Sequence, residues 1–236
     1  MKKYLIIIVL LFQLQAFSEE WKRVYLATYP RSGNHWMRYL IEEATHIATS
    51  SAYRDGTPPH LPQRFPWGGY CPDGGYEGMC RYPEEGDIVV IKTHARENDS
   101  TILPYQKIIR IVRHPVDSLY SEYVYLGGRE DQIPREKLVA GINKWKKFEA
   151  FWNTKENVYT FRYEDLLDKP AAVLSDILKI IGYEVTDEDI QRAVSKHPPI
   201  GGLLKHLPHF STSDLELIST SLEVELQKYR YEIPQG

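Results

Sequence analysis

Two cysteines in 236 residues are too few for the four ligands of a structural zinc site or for a disulfide-framed mini-protein. Positive charge is not in surplus: 29 Lys and Arg stand against 32 Asp and Glu, a formal net charge of −3. That balance gives no basic field for holding nucleic acid. No apolar run reaches the roughly 18 residues of a membrane span. The 15 Gly and 15 Pro follow no period, which excludes a collagen-like or low-complexity chain. What is present, 42% hydrophobic and 26% charged residues, can bury one sizeable core. The length is short for two enzyme domains.

The first 18 residues stand apart. Lys2 and Lys3 precede an apolar stretch, Tyr4 to Phe12, that weakens at Gln13 and Gln15 and ends on Ala16-Phe17-Ser18, a small-x-small triplet. Glu19-Glu20 then opens a polar chain. This is the layout of a cleavable secretory signal at 1–18, with an uncleaved anchor as the alternative. The expected location is the lumen of the secretory pathway (Golgi-like) or outside the cell, or the periplasm of a bacterium. In such a compartment Cys71 and Cys80 are expected to close one short disulfide loop.

Along 19–236 the pattern alternates. Arg23 to Tyr29 reads as a strand stopped by Pro30. Trp36, Met37, Leu40, Ile41, Ala44, Ile47 and Ala48 then recur at helical spacing. Between 50 and 86 periodicity disappears into Gly, Pro and aromatic residues, a long irregular insert that is unusual in a compact domain unless it is functional or disordered. Asp87–Lys92 and Lys107–Val112 read as buried strands. Helices are expected from Pro115 to about Leu126 and from Arg135 to Phe151. A fourth strand fits Val158–Arg162, and Val173 to Ile181 marks a helix stopped by Gly182. Thr186-x-x-Asp189 and Ser213-x-x-Glu216 have the spacing of capping boxes. Continuous apolar strands alternating with helices imply one α/β domain, a parallel sheet with helices on both faces.

In such sheets ligands bind beyond the carboxyl ends of the strands, and three strand ends carry unusual residues. Tyr29-Pro30-Arg31-Ser32-Gly33-Asn34-His35-Trp36 offers backbone N–H groups at a helix start, a glycine turn and a guanidinium, the parts of an anion site. It is not a Walker A loop, lacking the second Gly and the Lys-Ser/Thr pair. Lys92-Thr93-His94 places a cation and an imidazole where charge stabilisation and proton transfer become available. Arg113-His114-Pro115-Val116-Asp117, with Ser121 following, supplies a second anion grip. Taken singly, each also fits a basic turn, a surface charge or a helix serine.

Together and in this order they resemble the sulfotransferase family that uses 3′-phosphoadenosine 5′-phosphosulfate (PAPS). That family carries Tyr-Pro-Lys-Ser-Gly-Thr-Thr-Trp, then Lys-Thr-His, then Arg-Asn-Pro-x-Asp followed by a Ser. Phe161-Arg162-Tyr163-Glu164-Asp165-Leu166 is similar to its Tyr-Glu-Asp segment near the adenine. The four matches span Arg23 to Gly182. They imply a P-loop-NTPase-like nucleotide site with Arg31, Ser32, Gly33, Asn34, His35 and Trp36 around the 5′-phosphosulfate. They imply Arg113 and Ser121 on the 3′-phosphate and Tyr163 by the adenine. His94 is implied as general base, with Arg31 and Lys92 bracketing the sulfuryl group.

Departures accompany the likeness. Arg31 stands where the family has Lys; it keeps the charge but does not donate its proton at neutral pH. Asn34-His35 replaces Thr-Thr. The late Arg-Lys-Gly segment is not visible, leaving Lys196, His197 or Lys205 as stand-ins. No metal is expected, and no nucleic-acid partner. The expected acceptor is a carbohydrate or a protein tyrosine before a small phenol. A non-catalytic binder of nucleotide or sulfated ligand and a kinase-like phosphotransferase are the other readings.

Overall fold

A computed structural model describes residues 23–47, 49–52, 89–98, 102, 104–129 and 131–234. The expected signal at 1–18, Cys71 and Cys80, and the insert from residue 53 to 86 lie outside the described residues.

Five strands, β1 (Val24–Thr28), β2 (Ser50–Ser51), β3 (Ile91–Thr93), β4 (Lys107–Val112) and β5 (Val158–Arg162), form one sheet in the order β2-β3-β1-β4-β5. Every pairing is parallel. Their alternating side chains feed two separate cores, as a doubly covered sheet requires. Val24 and Leu26 of β1 and Ile109 and Ile111 of β4 pack on one face with α1 (Asn34–Thr45), α5 (Pro170–Ile181) and α6 (Asp187–Lys196). Tyr25, Ala27, Ile108 and Val112 pack on the other with α2 (Pro115–Tyr125), α3 (Arg135–Asn153), α7 (Thr212–Ser221) and α8 (Glu223–Tyr229). A short helix, α4 (Tyr163–Asp168), follows β5 directly. The expected α/β class and helix placement hold.

Four details differ from expectation. The third strand is Ile91–Thr93 rather than a run ending at Lys92. Ser50–Ser51, read as the start of the insert, is a strand because β3 supplies its partners: Ser50 N–H donates to the Val90 carbonyl at 2.9 Å and Ala52 N–H to that of Lys92 at 2.9 Å. The helix from Arg135 continues two residues beyond Phe151 to Asn153. The last capping box is Ser211-x-x-Asp214, not Ser213-x-x-Glu216. Ser211 holds the extended conformation a cap needs, whereas Ser213 is already inside the helix. The Thr186-x-x-Asp189 box and the Gly182 stop are as expected, Gly182 at φ 87°.

After β1 the chain moves to β2 and β3 on one side, and β4 and β5 fill the other. The strand order reverses around β1, and that reversal opens a crevice at the carboxyl end of the sheet.

Candidate active site

The turn after β1 is shaped by glycine. Gly33 caps α1 at φ 87°, a left-handed conformation, and no side chain caps the helix. Its first N–H groups therefore keep the partial positive charge of a helix start for a ligand. A Cβ at position 33 would lie 2.5 Å and 2.7 Å from ring carbons of Tyr163, so no larger residue fits beneath that ring. Arg31, two residues earlier, is also left-handed at φ 66°. The Arg113 guanidinium lies 4.7 Å from the centre of the Tyr163 ring. Its Nη1 donates to the Arg31 carbonyl at 2.8 Å, tying the β4 end to the β1 loop.

His94 is oriented by the backbone. Its Nδ1 is 2.7 Å from the Thr28 carbonyl oxygen and 3.2 Å from Thr28 Oγ1. A carbonyl only accepts, so Nδ1 carries the proton and the neutral ring holds its lone pair on Nε2. Asn34 Nδ2 donates to the same Thr28 hydroxyl at 3.3 Å. Lys92 is 7% exposed. Both Lys92 and His94 line a cavity of about 780 Å³, well within the range of ligand sites.

That cavity gathers the predicted site. Arg31, Gly33, Asn34, His35, Trp36, Lys92, His94, Arg113, Ser121 and Tyr163 all line it. Ser32 does not; it is fully buried beneath the loop. Arg31 and Ser121, expected on different parts of the ligand, are bonded to each other: Arg31 Nε donates to Ser121 Oγ at 3.2 Å. The Arg31 guanidinium also sits 5.1 Å from the centre of the Tyr125 ring. Trp36 meets Tyr163 edge to face at 6.0 Å and donates through Nε1 to the His197 carbonyl at 2.8 Å. Burial raises the Tyr163 pKa above its ordinary value, keeping the phenol neutral.

The three stand-ins for the missing late segment separate. Lys196 donates to Glu43 at 2.6 Å, and His197 lies 3.9 Å from the same carboxylate and stacks on Tyr39. The Lys196 hydrogen bond is the main reason the Glu43 pKa is lowered. Lys205 is delivered differently. Asp117, 3.7 Å from Arg113, accepts from the backbone N–H of Leu204 at 2.9 Å and of His206 at 3.1 Å. This anchors the residues flanking Lys205 beside Ser121 and Arg31, where a smaller cavity of about 320 Å³ joins the first. Asp117, quoted with the Arg113 segment, was given no role by sequence reasoning, and Glu122 and Tyr125 were left out. The i, i+4 spacing of Arg113 and Asp117 was the available signal for the first.

Buried polar atoms test whether this site suits a phosphorylated ligand. Ser32 Oγ and Arg113 Nε are buried donors without a hydrogen-bond partner among the described residues, as is the Asn34 Oδ1 acceptor. Native folds rarely leave such groups orphaned. Of these donors Arg113 lines the cavity, and a guanidinium with an orphan N–H near an uncapped helix start suits anionic oxygens; the site fits.

Fold and site together define an α/β protein with an uncapped strand-loop-helix at the switch point of its sheet. The chain belongs to the sulfotransferase domain family, which residues 22–197 match. It is 25% identical over 221 residues to the WSCD family member CG9164 of Drosophila melanogaster, covering 87% of this chain and 63% of that protein. It is 24% identical over 193 residues to human sulfotransferase 6B1, covering 75% and 61%. The chain spans about three fifths of the length of the curated relatives it matches. Mouse sulfotransferase SULT7A1, solved with PAP, superposes with a TM-score of 0.58 at 17% identity, covering 88% of this chain and 84% of that one. Retinol dehydratase, solved with androsterone and PAP, gives 0.57 at 15% identity, covering 91% and 83%.

Proposed function

We propose that this chain transfers a sulfuryl group from PAPS to a hydroxyl of an acceptor, a carbohydrate or a protein tyrosine before a small phenol. One observation carries the reading: His94, its Nδ1 proton held by the Thr28 carbonyl, shares a cavity with Lys92 and Arg31. Family membership and relatives solved with PAP support the nucleotide half.

PAPS supplies the sulfuryl group. His94 Nε2 takes the proton of the attacking hydroxyl, and the Thr28 carbonyl stabilises the imidazolium that results. Lys92 and Arg31 offset charge on the sulfuryl oxygens, and the first N–H groups of α1 receive the 5′-phosphate. Arg113 and Ser121, with Lys205 beside them, hold the 3′-phosphate. Trp36 and Tyr163 offer edges and faces to the adenine. Catalysis of this kind is mainly positioning and charge stabilisation. The signal-like N-terminus supports a lumenal or secreted location.

Incubating the protein with radiolabelled PAPS and mixed glycan, peptide and phenol acceptors tests the reading. Label in an acceptor is the expected result. Binding of adenosine 3′,5′-bisphosphate without transfer would mark a non-catalytic binder, and transfer from ATP with magnesium instead would mark a phosphotransferase.

A further inference from the structure

The cavity is lined by five cationic side chains and three histidines, and among the described residues that line it Glu122 is the one carboxylate. A negative charge there opposes a polyanionic donor, so its presence calls for a reason on the acceptor side. The placement is built. The Glu122 side chain is 9% exposed; Oε2 accepts from the Tyr29 hydroxyl, and Oε1 accepts from Lys144 Nζ at 2.7 Å. Lys144 does not line the cavity. Thr28 and Tyr29 are consecutive, so one strand end fixes both His94, through a carbonyl, and Glu122, through a phenol.

Glu122 therefore brings a carboxylate acceptor to the cavity that His94 also lines. A carboxylate oxygen that accepts one hydrogen bond retains a lone pair for another. Tyr125 and Leu126, at i+3 and i+4 from Glu122, line the same cavity and are 70% and 67% exposed, an apolar flank suited to a sugar ring or its aglycone.

We propose that Glu122 determines acceptor specificity: it takes a hydrogen bond from a second hydroxyl of the acceptor and repels anionic acceptors. The acceptor is then a neutral polyol, an uncharged sugar rather than a uronate, an acidic tyrosine peptide or a lone phenol. This rests on the sulfuryl-transfer reading above.

Three acceptors sharing one aglycone test it: a neutral hexoside, the matching hexuronide and a monohydroxyl alcohol, compared by kcat/KM with PAPS. The wild-type protein should prefer the hexoside at least tenfold over either. Glu122→Gln, its folding checked by melting temperature, should narrow the hexoside-to-hexuronide ratio to within about threefold by raising use of the hexuronide. Equal use of the hexuronide or the alcohol by the wild type overturns the proposal without any variant. So does an unchanged ratio in a folded Glu122→Gln. Transfer without the preference overturns this inference alone; no transfer to any acceptor overturns the parent reading and this one with it.

Discussion

Two strands flank β1, and each carries a cation and a histidine at its carboxyl end: Lys92 in β3 with His94 just after it, Arg113 and His114 just after β4. The residue types match and their settings are opposite. His94 gives its Nδ1 proton to the Thr28 carbonyl, leaving Nε2 as the lone-pair nitrogen. His114 uses Nδ1 to accept from Val116 N–H at 3.3 Å, capping α2, and Nε2 lies 3.2 Å from the Glu232 carbonyl oxygen. Its ring packs on Tyr231 at 4.9 Å, and burial pushes its pKa down to about 4. Both nitrogens of His114 are committed to backbone, so it holds structure. A cation-and-histidine pair at a strand end is thus no chemical signature in itself; the partner of Nδ1 decides what the ring can do.

The largest effect should separate these two rings. His94→Ala should lower kcat on the order of 10² to 10⁴-fold with donor affinity nearly unchanged, the typical worth of a general base. His114→Asn, which can still cap α2, should stay within about threefold of wild type. Initial rates alongside bisphosphate titrations check both. Turnover surviving in His94→Ala and lost in His114→Asn would invert the comparison.

Next comes the cation of the β4 end. Arg113→Ala should weaken adenosine 3′,5′-bisphosphate binding by about 10 to 100-fold, the scale of a hydrogen bond to a charged group, while adenosine 5′-monophosphate loses far less. Calorimetric titration of both nucleotides reads the difference. Equal losses would take the 3′-phosphate away from Arg113.

A smaller effect concerns pH. His114 is neutral in the fold to about pH 4, whereas the unfolded histidine binds a proton near pH 6.5. Between these values the unfolded state holds more protons. Stability therefore falls as pH drops from about 6.5 to about 4, by up to about 3 kcal/mol from this residue, and no further below. His206, whose pKa burial also lowers to about 4, adds a slope of the same sign. Urea midpoints at pH 7 and 4.5 should diverge less in His114→Asn than in wild type.

The smallest effect lies far from both strand ends and serves as their reference. Ser211→Ala should cost about 1 kcal/mol by removing a helix cap, and Ser213→Ala less than about 0.5 kcal/mol. Neither should change kinetic constants. Denaturant midpoints of the two variants tell them apart.

Much of this was legible in the sequence because the signals were local. β1, β4 and β5 announced themselves by apolar runs, and α1 and α5 by their periodic faces. Arg31, Lys92, His94, Arg113 and Ser121, which line one cavity, were singled out by the order of strand ends and the family resemblance it carries. What escaped depends on tertiary partners. Two serines become a strand only because β3 is beside them, and the six residues of α4 are too few to show a period. Ser211 and Ser213 both have an acid three residues on, so the pattern fits twice and only the backbone at Ser211 chooses. Lys196, His197 and Lys205 were equivalent as text; Glu43 occupies the first two, and Asp117 positions the third. Glu122 looked like an ordinary helix acid because Tyr29 and Lys144 come from distant segments.

The Tyr163 ring has a consequence for how this sequence can change. Its edge closes over Gly33, its face receives Arg113, and Trp36 meets it from the side. Three segments separated by up to 130 positions thus share one boundary, and substitutions among them cannot contribute independently. A smaller ring at 163 frees space above Gly33 yet strips Arg113 of its platform, so relief in one place is damage in another. Drift at these positions should be concerted or absent, and a library varying Gly33, Trp36, Arg113 and Tyr163 together should yield functional sequences as a few linked sets.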